Sequence, residues 1–263
     1  MKNFLMASVL LLGTCFTVNP LYAEDNAAKP KVAVIRKEVQ RTLWGVKISP
    51  YVLKVLITLA EKNVPYKLEE ILPTMLLKAT DQKVPEILLK NSPFGKIPVF
   101  QEKNLKSHEE FIISESSVIM DYLNETVEAT SLRPKCPKAN ARVSFYIRYG
   151  DDVLAPITHK ILFESVVKPN VLKEKTDSAL VESLLKEKLP VVLDFLEETL
   201  ADNRTWIADT KNFSLADITI ASHLITLSNA GLNLDETIGE KRPNLLKYMS
   251  KILNRPSVKK VLG

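Results

Sequence analysis

Cysteine is nearly absent: the 263-residue chain holds two, Cys15 and Cys136. It has no Cys-x-x-Cys pair, so it lacks the usual equipment of a disulfide oxidoreductase. Cys15 lies in an N-terminal apolar run. If that run is removed, Cys136 is the only thiol left and no intramolecular disulfide can form. Cys136 sits between Pro134 and Pro137 and reads as an incidental surface residue. Histidine is also scarce. His108, His159 and His223 are scattered without metal-ligand spacing, so no metal is expected, and His223 reads as a core or interhelix residue. The formal charge of +5 is mild, and Lys and Arg are interspersed with Asp and Glu. That excludes a dedicated nucleic-acid surface, which concentrates basic residues on one element. Repeats and low-complexity tracts are missing too. What remains is a soluble globular composition, 46% apolar and 25% charged with 7 glycines, long enough for one large domain or two ordinary ones.

No apolar run is long enough to span a membrane. The run from Phe4 to Val18 is too short and weakly flanked for that. Lys2 before it and Leu21-Tyr22-Ala23 after it give the order of a secretory signal, cleaved after Ala23. The expected destination is periplasmic or secreted. A buried N-terminal helix is one alternative. Anchoring as a lipoprotein through Cys15 is another, since Leu12-Gly13-Thr14-Cys15 resembles a lipobox, although Thr14 fits poorly. Residues 24–39 read as a flexible polar segment.

Thr42–Val46 is strand-like, and then Val52, Val55, Leu56 and Leu59 recur at the spacing of an amphipathic helix. Ser49 suits its N-cap and Pro50 its first position. Tyr66–Leu72 is expected as a second, parallel strand. Lys78–Leu89 reads as irregular with a short helix from Pro85. Ile97–Gln101 and Phe111–Ile113 read as an antiparallel pair, followed by a helix from near Ser114. The first half, 40–125, is therefore β-α-β-α-β-β-α. Residues 126–138 form a proline-bearing linker, and 139–263 are helical throughout. Expected helices run about 139–164, 177–200, 214–230 and 243–253, with a break or kink at Gly150 and Pro156 and at Pro190. Phe213-Ser214-Leu215-Ala216-Asp217-Ile218 carries a capping box and hydrophobic staple, a folding device with no catalytic role.

Two runs carry functional information. In Asn91-Ser92-Pro93-Phe94-Gly95-Lys96-Ile97-Pro98-Val99-Phe100, Pro98 stands at the edge of a strand-like run, where it cannot donate a ladder hydrogen bond. An edge, a bulge or a cis turn is expected there. In Ser114-Glu115-Ser116, an acid and a hydroxyl fall where a helix begins, beside free N–H groups.

These runs, with Leu43-Trp44…Ser49-Pro50, Ala60-Glu61-Lys62, Tyr122-Leu123 and Phe213–Ile218, make the chain resemble a glutathione transferase over nearly its whole mature length. The resemblance implies a thioredoxin-like N-terminal domain, an all-helical C-terminal domain, a homodimer and glutathione as co-substrate. It also implies site residues. The Ile97 backbone, before a cis Pro98, would pair with the cysteinyl part of glutathione. Glu115 would take the γ-glutamyl ammonium, with Ser116 and its helix N-terminus taking the carboxylate. Lys83 or Lys96 would meet the glycyl carboxylate. Tyr51, Tyr146 and Tyr149 are the candidates for a second-substrate pocket, with Phe145 also within reach.

The chemistry sets a requirement. A thiol of pKa near 8.5 is only about 3% thiolate at pH 7, and the thiolate is the nucleophile. Ionising most of it takes a shift of about two units, roughly 2.7 kcal/mol of selective anion stabilisation. Ser49 is the candidate catalytic residue: its hydroxyl can donate to a thiolate beside the positive end of a helix. As a serine it cannot form mixed disulfides. The expected activity is transfer of glutathione to small hydrophobic electrophiles. The competing expectation is a non-catalytic member of the same fold, as in stringent starvation protein A and some translation factors.

Overall fold

The structure is a computed structural model that describes residues 39–263. The expected signal segment, its lipobox alternative and all but the last residue of the 24–39 segment lie outside the described residues. Four strands build one sheet: β1 (Val39–Trp44), β2 (Lys67–Glu69), β3 (Val99–Asn104) and β4 (Glu110–Ser114), in the order β2-β1-β3-β4. β1 runs parallel to β2, β3 antiparallel to β1, and β4 antiparallel to β3. Helix α1 (Pro50–Glu61) makes the parallel crossover. Two short helices, α2 (Thr74–Ala79) and α3 (Glu86–Asn91), lead into β3, and α4 (Ser116–Thr126) follows β4.

The thioredoxin-like order is as expected, with local differences. β2 is three residues long because its partner β1 ends at Trp44, opposite Glu69, and Pro73 then leads into α2. The α2 helix was not anticipated. Its six residues bury only Leu76 and Leu77, too little to show a period.

The helical half contains α5 (Pro137–Tyr149), α6 (Ala155–Leu162), α7 (Ser178–Ser183), α8 (Leu189–Leu200), α9 (Leu215–Asn229), α10 (Leu234–Ile238), α11 (Pro243–Leu253) and α12 (Pro256–Leu262). Three π-helical stretches join them, at Gly150–Leu154, Phe163–Leu172 and Leu184–Lys188. Pro156, Pro169 and Pro190 lie within or just after these stretches. Each proline removes an N–H from the ladder, and the chain widens by a π turn rather than breaking. Through Pro156 and Pro190, where a break or a kink is expected, the helix therefore runs on.

Helix α9 has 13 of its 15 residues buried, the polar Asp217, Thr219, Ser222, His223 and Thr226 among its apolar ones. It packs on α1, α5 and α6, so it touches both halves of the protein. Its start is the expected capping box, with the Ser214 N–H donating to Asp217 over 2.9 Å. The buried Asp217 carboxylate also accepts from the Ser214 hydroxyl (2.7 Å), the Ile207 N–H (2.8 Å) and the Tyr248 hydroxyl (2.9 Å). One acid thus ties the loop before α9, α9 itself and α11 together. Burial raises its pKa and the four donors pull it back.

Helix α1 is held from both sides, by α4 within its own domain and by α9 and α12 of the helical domain. Glu61 at its end pairs with Arg255 through two 2.8 Å bonds and accepts from Ser257. The buried Lys62 ammonium donates to the carbonyls of Asn124 and Val127 at the end of α4, both at 3.1 Å. The element carrying Ser49 therefore has little freedom to shift.

Candidate active site at the domain cleft

Strand register brings the candidate residues together. Trp44 pairs with Val99, and Val99 pairs with Ser114. The chain leaving β1 toward Ser49, the chain entering β3 through Ile97-Pro98, and the chain leaving β4 through Glu115-Ser116 therefore share one end of the sheet. Gly45 makes the first exit possible. At φ +155° it lies beside Val52, and an added Cβ would stand 2.5 Å from a Val52 methyl.

Ser49 occupies the N-cap position of α1, with Pro50 at the first helical position. Its carbonyl accepts from the Leu53 N–H (2.9 Å) and its N–H donates to Val46 (3.0 Å). The hydroxyl makes no capping bond, which corrects the expectation of a side-chain cap. A side-chain cap would serve the N–H groups of Tyr51 and Val52, the second and third helical residues, and Ser49 reaches neither. The half-exposed hydroxyl is left without a hydrogen-bond partner among the described residues, at the positive end of a twelve-residue helix.

The Ile97-Pro98 bond is cis, and both residues are buried. The Ile97 backbone has no hydrogen-bond partner among the described residues. Glu115 has φ +74° and ψ 108°, a conformation that costs a side-chain-bearing residue about 1–3 kcal/mol. Its exposed carboxylate makes no hydrogen bond or ion pair among the described residues. Ser116, buried at the first position of α4, likewise has an uncommitted hydroxyl. A strained acid and a free hydroxyl thus stand together at a helix N-terminus, an arrangement chemically able to take an ammonium and a carboxylate. Lys96 is exposed, with its ammonium 5.7 Å from the Phe94 ring centre. Lys83 is exposed on the segment before α3.

Beneath these residues lies a polar cluster that sequence reading missed. The fully buried Lys54 ammonium donates to both carboxylate oxygens of Asp151 (2.7 and 2.8 Å) and to the Ser117 hydroxyl (2.7 Å). Ser117 donates to Asp151 over 2.6 Å, and His223 Nε2 lies 3.1 Å from the same carboxylate. The cluster joins α1, α4, the first π turn and α9. Burial pushes the Asp151 pKa up, but His223, Lys54 and Ser117 outweigh it and hold the carboxyl well below its usual range. Burial lowers the Lys54 pKa although Asp151 pulls it up, so the ammonium is held against a desolvation penalty. The available signal was a lone charge inside the apolar run Tyr51–Ala60, which demands a partner.

Tyr51 sits where the two domains meet, with its ring 5.4 Å from that of His223 and 6.0 Å from that of His159. Burial and the charges of Asp151, Glu115 and Asp152 raise its pKa to about 12, so it stays protonated. Tyr146 and Tyr149, expected near Tyr51, make no ring contact with it among the described residues and have other partners. Tyr149 packs on Phe195 and its hydroxyl donates to the Val192 carbonyl over 3.3 Å. Tyr146 is buried within the helical domain, edge-on to Phe145. Asp151 is the residue of this rod that points at α1, and Tyr149, two positions away, cannot share its face. His159, scattered from the other histidines in sequence, lies on α6 beside Tyr51.

A thioredoxin-like domain joined to an all-helical domain, with a free hydroxyl, a cis-proline turn and an acid–serine helix start at the seam, defines a glutathione-transferase class of protein. The comparisons agree. The N-terminal domain of glutathione S-transferase matches residues 43–131 and its C-terminal domain residues 154–256. A glutathione S-transferase from Hyoscyamus muticus is 30% identical over 84% of this chain and 96% of its own. The solved structure of glutathione S-transferase-I bound with the ligand lactoylglutathione is 25% identical, with a TM-score of 0.69 over 84% of this chain and 98% of that one. Elongation factor 1-gamma of Danio rerio is 29% identical over 66% of this chain but only 35% of its own length. The chain belongs to the glutathione S-transferase family, and it is a probable glutathione transferase.

Proposed function

We propose that the cleft binds glutathione and that the Ser49 hydroxyl ionises its thiol for attack on small hydrophobic electrophiles. The observation that carries this reading is the uncommitted Ser49 hydroxyl at the start of α1. Its O–H would donate to the sulfur, and the helix N-terminus adds positive potential. Ile97 would pair with the cysteinyl backbone next to Pro98. Glu115 would hold the γ-glutamyl ammonium and Ser116 its carboxylate. Lys96, beside Ile97, suits the glycyl carboxylate better than Lys83. The thiolate then forms a C–S bond while the electrophile loses its leaving group or shifts its π pair. Tyr51 would line the second-substrate side.

Calorimetry with glutathione tests binding, and turnover of Ser49→Ala tests the chemistry. The expected result is heat at millimolar glutathione or below, with catalysis reduced about a hundredfold in the variant. Absence of heat from a folded sample would sink the reading. The likeness to elongation factor 1-gamma supports a non-catalytic rival. Glutathione binding without turnover would favour it.

A homodimer belongs to the same proposal. Phe111, Val118 and Phe145 leave apolar surface exposed on β4, α4 and α5, and sedimentation equilibrium would measure the mass. Export belongs to it as well, resting on Lys2 and the run from Phe4 to Val18. Cell fractionation with mass analysis of the N-terminus separates signal cleavage from lipid attachment at Cys15.

A further inference from the structure

His159 has a position that the glutathione grip does not use. It lies on α6 in the helical domain, where that domain meets Tyr51 of α1. Its ring stands 6.0 Å from that of Tyr51, two residues after Ser49. The groups that face it are Tyr51, Lys96 and His223, with Lys160 beside it on its own helix. Lys96 immediately precedes Ile97, and its charge reaches the imidazole, so both chain segments expected to hold the thiol act on it. Its ring nitrogens have no hydrogen-bond partner among the described residues, and the residue is open to solvent. Crowding by the surrounding protein, then the charges of Lys96 and Lys160, lower its pKa and favour the neutral ring. A neutral imidazole always carries one N–H.

We propose that this N–H is the hydrogen-bond donor to the carbonyl oxygen of the second substrate, biasing the cleft toward α,β-unsaturated carbonyl compounds. The inference rests on the glutathione-transfer reading above. In the addition, the thiolate sulfur bonds to the β-carbon and the C=C pair moves toward the carbonyl oxygen. The His159 N–H stabilises the oxyanion as it develops, without giving up its proton. The α-carbon then takes a proton from water, replacing the one the thiol released, so the addition is proton-neutral. Displacement of halide from a benzyl carbon develops no oxyanion and gains nothing from this donor.

The test compares kcat/KM for a trans-2-alkenal and for benzyl chloride, in the full chain and in His159→Phe and His159→Gln. Thermal melts check that each variant is folded. His159→Phe keeps an aromatic ring and removes the donor. Its alkenal-to-benzyl-chloride ratio is expected to fall about tenfold or more. His159→Gln retains an N–H donor and is expected to keep the ratio within about threefold. An unchanged ratio in His159→Phe, or an equal fall in both variants, overturns the proposal. If the wild type turns over neither substrate, the glutathione-transfer reading falls first and takes this inference with it. Benzyl chloride turnover with an unmoved ratio defeats the inference alone.

Discussion

Replacing Lys54 with Met removes an ammonium that makes three short bonds in a fully buried position. Removing one partner of a buried ion pair typically costs about 3–5 kcal/mol, because the other charge is left uncompensated. Two features reduce that here. The Asp151 side chain is 18% exposed and keeps its bonds to Ser117 and His223. The ammonium itself sits against a desolvation penalty, which its loss relieves. The expected destabilisation is therefore about 2–3 kcal/mol. At a urea slope of about 3 kcal/mol/M, the unfolding midpoint falls by about 0.7–1 M. The double variant Lys54→Met with Asp151→Asn restores neutrality and should recover to within about 1 kcal/mol of the wild type. Acid gives an independent check. The folded carboxyl pKa is depressed, so the stabilisation is complete above the unfolded value of about 3.9 and is lost as pH falls through the folded value. The gap between wild type and Lys54→Met should therefore narrow below about pH 4. A Lys54→Met midpoint within about 0.2 M of the wild type at pH 7 would refute the reasoning.

Other substitutions separate structure from function. Ser49→Ala should change stability by less than about 0.5 kcal/mol, because its hydroxyl caps nothing; a calorimetric loss above about 1 kcal/mol would restore the cap. Glu115→Gly relieves the positive φ and should leave stability equal or higher by about 1 kcal/mol, while glutathione affinity falls at least about tenfold. Parallel melting and titration curves read that trade directly. Gly150→Ala places a Cβ 2.6 Å from a Thr219 methyl and should destabilise by about 1–3 kcal/mol in thermal melts. Asp217→Ala strands several buried donors and should cost about 3–5 kcal/mol, against about 1 for Ser214→Ala.

The sequence was most legible where the signal is local. The apolar period of α1, the capping box of α9 and the span of α11 all follow from residues within a turn or two of one another. Ile97-Pro98 and Glu115-Ser116 could be placed because a proline and a helix start constrain the backbone wherever they occur. What escaped depends on distant chain. Lys54 and Asp151 are 97 residues apart, and no local pattern links them. The strain at Glu115 is a backbone property that an acid does not announce. Side-chain direction was the other gap. Ser49 fits a cap by type yet turns its hydroxyl elsewhere, and Tyr149 turns to Phe195 because its neighbour Asp151 claims the face toward α1. Helices of five to seven residues, such as α2, α10 and α12, are too short to show a period.

The central claim is that Ser49 ionises a bound thiol. The direct measurement is the ultraviolet thiolate absorbance of glutathione bound to the full chain, titrated against pH beside Ser49→Ala. The account predicts a midpoint about two units below the free value of 8.5 in the wild type, returning toward 8.5 in the variant. Coincident midpoints, or no shift in the wild type, would contradict it.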